Sequence, residues 1–181
     1  MFSFKPMKEE TKGSCCSTTA GSNCSAESDG DNCCTPQPKD KVSCPQCHEK
    51  AKGILGKTVQ ALLTDEAKEK FSCFDGFYYC KTATCETVYF RDDVVLTQKD
   101  LTVVVGLKEG ASPATLCYCF AWTKEKIKAE FQENGETNAL KDIKAKMENP
   151  GCSCEVLNPS GGCCLGDTTK AIKAIKQELG L

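Results

Sequence analysis

Sixteen of the 181 residues are cysteine, and nothing else in the chain limits its folding so tightly. At roughly 9% of the residues, such a density in a secreted chain marks a disulfide scaffold. The amino terminus, MFSFKPMKEETKGS, has no apolar core of export-signal length and carries lysine and glutamate throughout. The expected compartment is therefore the cytoplasm, where thiols stay reduced and a thiolate-rich chain is expected to bind zinc, copper(I) or an iron-sulfur cluster. A single histidine excludes a His-rich zinc or copper site. With 40% hydrophobic and 27% charged residues the chain is neither collagen, coiled coil nor wholly disordered. Its most apolar run, LTVVVGL from Leu101 to Leu107, is far short of the ~20 residues that span a bilayer, so no membrane insertion is expected. A net charge of -2 with both signs interleaved leaves no basic stripe for nucleic acid.

The cysteines divide the chain. Residues 1–41 hold five of them among Ser, Thr, Gly, Asn and Asp, with almost no large apolar residue after Met7; too little apolar surface is available to offset chain entropy, which predicts a disordered tail. Residues 42–110 read as a small β domain. A short helix carries Val59, Leu62 and Leu63, and strands are expected at Phe77–Cys80, Thr87–Phe90, Val94–Leu96 and Leu101–Val105. Residues 111–181 read as helical. Thr123 is expected to cap a helix carrying Ile127 and Phe131 and closed by Gly135; a second fits Asn138–Met147, and Asp167 or Thr168 caps a third with Ile172, Ile175 and Leu179 as its stripe. The expected fold class is α+β, with a thin core in each half and cysteines where metal staples would stand.

Cys44 and Cys47 form a C-x2-C knuckle and Cys80 and Cys85 a C-x4-C knuckle. Zinc holds four thiolates tetrahedrally at ~2.3 Å, with neighbouring sulfurs about 3.8 Å apart, a separation that tight turns of this kind provide. Two such knuckles about thirty residues apart predict a zinc ribbon, with a mononuclear iron site as the chemical competitor. Cys44 to His48 also spells C-x-x-C-H, the haem attachment motif, but haem would need export and would leave Cys80 and Cys85 unexplained. A thioredoxin-like pair lacks the preceding apolar strand. His48 is expected beside the knuckle or, alternatively, in place of Cys85. AKGILGKT, residues 51–58, resembles a P-loop but follows no buried strand. Cys73 has no partner within knuckle reach and reads as an ordinary thiol.

Cys117-Tyr-Cys119 presents two thiolates, expected on one side of an extended backbone. Cys152, Cys154, Cys163 and Cys164 follow beyond two helices. A 2Fe-2S cluster needs two thiolates on each iron, and loops at helix N-termini would offer N-H groups to an anionic cluster. Spacing alone leaves a second zinc site equally open.

CPQCH with KTVQALL, FYYC with C-x4-C and TVYF, VGLKE, CYCFAWTKEKI and NPGCSCEVLNPSGGCCLGD together resemble the amino-terminal half of the archaeal CopZ-type copper chaperones, over about residues 42–170. In that family a zinc ribbon precedes a helical 2Fe-2S domain related to bacterioferritin-associated ferredoxin. The resemblance implies Cys117 and Cys119 as one cluster ligand pair and assigns the other to Cys154 and Cys164, ahead of Cys152 and Cys163. The family carries copper on a separate domain with M-x-C-x-x-C, which is not found in this sequence. What stands there instead is the tail, where Cys15, Cys16, Cys33 and Cys34 are candidate ligands for copper(I) or mercury(II), the alternative being a metal-indifferent linker. The resulting expectation is an iron-sulfur and zinc-binding metallochaperone for a soft metal, which the residues leave open between copper and mercury and the resemblance reads as copper(I). Its cluster would carry one electron, and its partner would be a metal-transporting ATPase or another metallochaperone. A ferredoxin-like electron-transfer adaptor with structural zinc is the alternative, and a zinc-only scaffold a third. No Ser-His-Asp set or carboxylate pair can be picked out, so no hydrolytic enzyme is expected.

Overall fold

β-branched and aromatic residues between Tyr78 and Thr97 build an antiparallel meander in a computed structural model that describes residues 42–181. Residues 1–41, with the expected tail and Cys15, Cys16, Cys24, Cys33 and Cys34, lie outside the described residues. Four strands, β1 (Lys52–Gly53), β2 (Tyr78–Tyr79), β3 (Thr87–Arg91) and β4 (Val94–Thr97), pair in sequence order. Opposite residues include Tyr79 with Tyr89 and Phe90 with Val95. α1 (Gly56–Leu62) sets Val59 and Leu62 inward, and Thr64 caps the single turn of α2 (Asp65–Lys68). Val59, Leu63, Phe77, Val88, Tyr89 and Val105 are buried together as the core of this half.

The strand expected at Leu101–Val105 does not form; only Leu101 makes an isolated bridge, to Leu63. Side chains take the ladder's place. Gln98 donates from Nε2 to the Val103 carbonyl (2.6 Å) and accepts from Val105 N-H (2.7 Å), while Thr102 N-H donates to Leu62 O (2.8 Å). Leu101 and Val105 are buried, and the run is a hydrogen-bonded loop rather than a strand.

A two-stranded hairpin, β5 (Thr115–Cys117) with β6 (Trp122–Thr123), opens the second half and leads into α3 (Lys124–Asn134), α4 (Ala139–Glu148), α5 (Cys154–Leu157) and α6 (Leu165–Leu179). Thr123 caps α3 by accepting Lys126 N-H (3.2 Å), and Gly135, at φ 72°, ends it in the left-handed conformation that glycine adopts without a Cβ penalty. α4 begins after Asn138 as expected. α6 starts earlier than expected: Cys164 occupies its cap, and Asp167 and Thr168 fall inside the first turns. Leu116, Trp122, Ile127, Phe131, Ile143, Ile172 and Ile175 are buried in a second core that includes Cys117, Cys154 and Cys164. Among the described residues, no helix is long and apolar enough to cross a membrane, and all eleven cysteines are free thiols.

Candidate metal centres

β2 ends at Tyr79 and β3 starts at Thr87, so pairing of these two strands brings Cys80 and Cys85 to one end of the sheet. The turn Pro45–Cys47 closes there from the other side, with Cys44 N-H bonded to Glu49 O and His48 N-H to Cys44 O, each at 2.9 Å. The sulfurs of Cys44, Cys47, Cys80 and Cys85 all lie within 4.8 Å of one another. Cys44 Sγ is 3.9 Å from Cys85 Sγ and Cys47 Sγ 3.6 Å from Cys80 Sγ, close to the edge of a thiolate tetrahedron around zinc, about 3.8 Å. All-sulfur donors at these separations fit zinc. His48 takes a left-handed φ of 60° and is exposed, outside this set.

The surroundings tune two of the thiols in opposite directions. The hydroxyl of Thr82, 3.4 Å from Cys47 Sγ, draws that thiol down to about 6, whereas burial pushes Cys80 up to about 12. Gln46 Oε1 accepts from Thr87 N-H (3.1 Å) and Thr87 Oγ1 (2.7 Å) and lies 3.3 Å from Cys85 Sγ, locking one knuckle to the other. Lys108 reaches in from beyond the meander. Its ammonium donates to the carbonyls of Cys80 (2.9 Å), Thr82 (2.9 Å) and Thr87 (2.7 Å), placing a positive charge beside four thiolates. Burial lowers its pKa, and the neighbouring cysteines oppose that shift.

The second set is built differently. β5 ends at Cys117, and Tyr118 to Ala121 form a turn in which Ala121 takes a left-handed φ of 52°. The extended backbone expected through Cys119 therefore stops one residue into the motif. Cys154 opens α5 and Cys164 caps α6. Cys119 Sγ and Cys154 Sγ are 3.7 Å apart. Cys164 beside it draws the Cys117 thiol down to about 7, and Cys117 in turn drives Cys164 sharply up, with burial adding to the rise. Each spatial pair thus takes one cysteine from the C-x-C turn and one from the later loop. Cys152 and Cys163 are exposed, while Cys117, Cys154 and Cys164 are buried.

Two features of this set fit a 2Fe-2S cluster. Two irons side by side hold two thiolate pairs, and each pair then stands farther from the other than four ligands of one ion do. Among the described residues, only the first four cysteines satisfy single-ion spacing. Thr168, four residues beyond Cys164 on the buried stripe of α6, is fully buried, and its hydroxyl has no hydrogen-bond partner. A cluster sulfur is an acceptor of the kind such an orphan lacks.

Lys108 carries no spacing signal and reaches the first site through tertiary packing, whereas Gln46 and Thr82 sit inside the knuckles and their hydrogen bonds leave no mark in the spacing. Tyr118 was visible only as the residue between two cysteines.

Residues 41–102 match the CopZ-type zinc-binding domain family, described as a zinc binding domain. Copper chaperone CopZ of Archaeoglobus fulgidus is 32% identical over 113 residues, covering 57% of this chain and 54% of that protein. The chain thus spans about half the length of the curated relative that it matches. The X-ray structure of the Archaeoglobus fulgidus CopZ N-terminal domain superposes with a TM-score of 0.59 at 30% identity, covering 71% of this chain and 96% of that one. By that coverage and identity, the chain belongs to the family of the CopZ N-terminal domain, with the family's zinc-binding domain at residues 41–102.

Proposed function

We propose that the chain is a cytoplasmic metallochaperone for copper(I), with zinc held by Cys44, Cys47, Cys80 and Cys85 and a 2Fe-2S cluster held by Cys117, Cys119, Cys154 and Cys164. The observation that carries this reading is the convergence of those last four thiols from two separate loops, pairwise, in a buried core. The likeness to a protein named as a copper chaperone supports the cargo. When bound, the cluster would supply or accept one electron. The chain's own part is to exclude water with Leu116, Trp122, Ile127 and Ile172 and to offer soft thiolates at Cys15, Cys16, Cys33 and Cys34 for the copper ion. The zinc site is structural on this reading, since four protein ligands leave it no open position. The receiving partner would be a thiolate site on a metal-transporting ATPase or another metallochaperone.

The electron count sets the experiment. One Cu(II) becomes Cu(I) by taking one electron, the amount that a singly reduced cluster holds. Anaerobic protein, reduced and freed of excess reductant, is given one Cu(II) per chain. Its visible spectrum should return to the oxidised form, with Cu(I) retained on the protein. Deleting residues 1–41 should remove most of the Cu(I) retention and leave the visible spectrum unchanged. Equal retention by the truncated chain would reject the tail as the cargo site, and an unchanged reduced spectrum after copper addition would reject the redox role.

A further inference from the structure

The two metal centres are joined by more than chain continuity. The segment from Val104 to Lys108 lies just past the residues of the zinc-binding domain match, and it is fastened at both ends. At one end Lys108 Nζ holds the carbonyls of Cys80, Thr82 and Thr87, three points on the C-x4-C knuckle and the strand that follows it. At the other end the hydroxyl of Tyr118, the residue between Cys117 and Cys119, accepts from Gly106 N-H (2.8 Å) and donates to Val104 O (3.0 Å). Gly106 makes the close approach feasible, because a Cβ there would run into the backbone of Thr115 in β5. The later ligand loop is also fastened to the β half. Tyr89 of β3 donates to Pro159 O (2.7 Å) in a buried bond, and Thr58 of α1 donates to Glu155 O, next to Cys154.

From this geometry we infer that residues 104–108 act as a latch through which zinc occupancy sets how tightly the cluster is retained. The inference rests on the zinc and cluster assignments above. Zinc fixes the Cys80–Cys85 knuckle, and the fixed carbonyls give Lys108 its three acceptors. An anchored Lys108 holds Val104 and Gly106 where they meet the Tyr118 hydroxyl, and Tyr118 sets the turn that presents Cys117 and Cys119. Without zinc, the knuckle carbonyls lose their fixed positions and the turn loses its outer support. Tyr118 is a positioning residue on this account, acting through the cysteines on either side of it. Coupling of this kind is reciprocal, so an intact cluster should also slow zinc loss.

The test uses full-length protein loaded anaerobically with zinc, iron and sulfide, with cluster loss followed by visible absorbance and by iron captured by a chelator. Tyr118→Phe, which keeps every metal-ligating thiol, should lose its cluster about tenfold faster than wild type, the consequence of one buried hydrogen-bonding group removed with its partners left unpaired. Cys44→Ser, which weakens the zinc site, should accelerate cluster loss at least as much. The double variant should be no faster than the faster single one, because both changes break the same connection. Lys108→Met provides the same comparison with all four zinc thiols present, should Cys44→Ser fail to fold. In wild-type protein carrying zinc alone, hydrogen exchange at the Gly106 amide should be slow, and Tyr118→Phe should speed it at least tenfold. A wild-type cluster lifetime in Tyr118→Phe, or accelerations that multiply in the double variant, would overturn the latch. Failure of the wild type to take up iron and sulfide would instead overturn the cluster assignment and the coupling with it, while the Gly106 exchange would still decide whether Tyr118 fastens the segment.

Discussion

Cys154 and Cys152 stand two positions apart along the chain and differ in burial. Cys154 is buried against Cys119, and Cys152 is exposed, so Cys154→Ser should bleach the visible bands of the anaerobic protein and Cys152→Ser should leave them intact. The reverse result would move the ligand to Cys152. The sequence resemblance favoured Cys154, but spacing alone did not separate the two, because both sit in one C-x-C. Burial is what favours Cys154 on the proposed reading. Thr168 gives a second test at this scale. Its hydroxyl is fully buried without a partner, so in metal-free protein Thr168→Val should raise stability by about 1–3 kcal/mol, the desolvation cost of an unsatisfied polar group. In the loaded protein the same substitution should lower the reduction potential, because a hydrogen bond to cluster sulfur favours the more negative, reduced form. Thermal unfolding of the first and a redox titration of the second check the two arms. A potential unchanged from wild type would show that the hydroxyl does not face the cluster.

Among the elements, α3, α4 and α6 were the most legible. Their stripes of Ile127 and Phe131, Leu140 and Ile143, and Ile172 and Ile175 repeat at helical spacing, and Thr123 and Gly135 mark the ends of α3 as their chemistry requires. Ile143 is fully buried, and Ile143→Ala should cost about 2–5 kcal/mol through lost burial and the cavity left behind. Trp122, the chain's one tryptophan, packs in the same core and donates from Nε1 to Asp142 Oδ2 (2.8 Å). Its fluorescence therefore reports the unfolding of this half directly. A loss under 1 kcal/mol would place Ile143 outside a packed core. Two of the less legible elements share a cause. Leu101–Val105 has strand composition but finds its hydrogen bonds in the Gln98 side chain, and the Cys117–Cys119 backbone bends because Tyr118 is held by Gly106 and Val104. α6 begins at Leu165, ahead of Asp167, with Cys164 at the cap position and no side chain capping it. In the first two cases a side-chain partner overrides the local pattern.

For the molecule as a whole, the first metal site was readable because both knuckles are local and strand pairing needs only to close them. The second was readable as a set of cysteines and not as a geometry, since six cysteines stand in that half and their spacing does not say which four come together. The joining of the two halves through Lys108, Tyr118, Tyr89 and Thr58 left no trace in spacing or periodicity; hydrogen bonds from single side chains to distant carbonyls have no sequence period. The account as a whole requires two chemically different centres in one chain. Zinc, iron and acid-labile sulfide in anaerobically purified full-length protein measure that requirement most directly. The expected result is about one zinc, two irons and two sulfides per chain, with Cys117→Ser losing iron and sulfide together and keeping zinc. Two zincs with no sulfide in the wild type would contradict it.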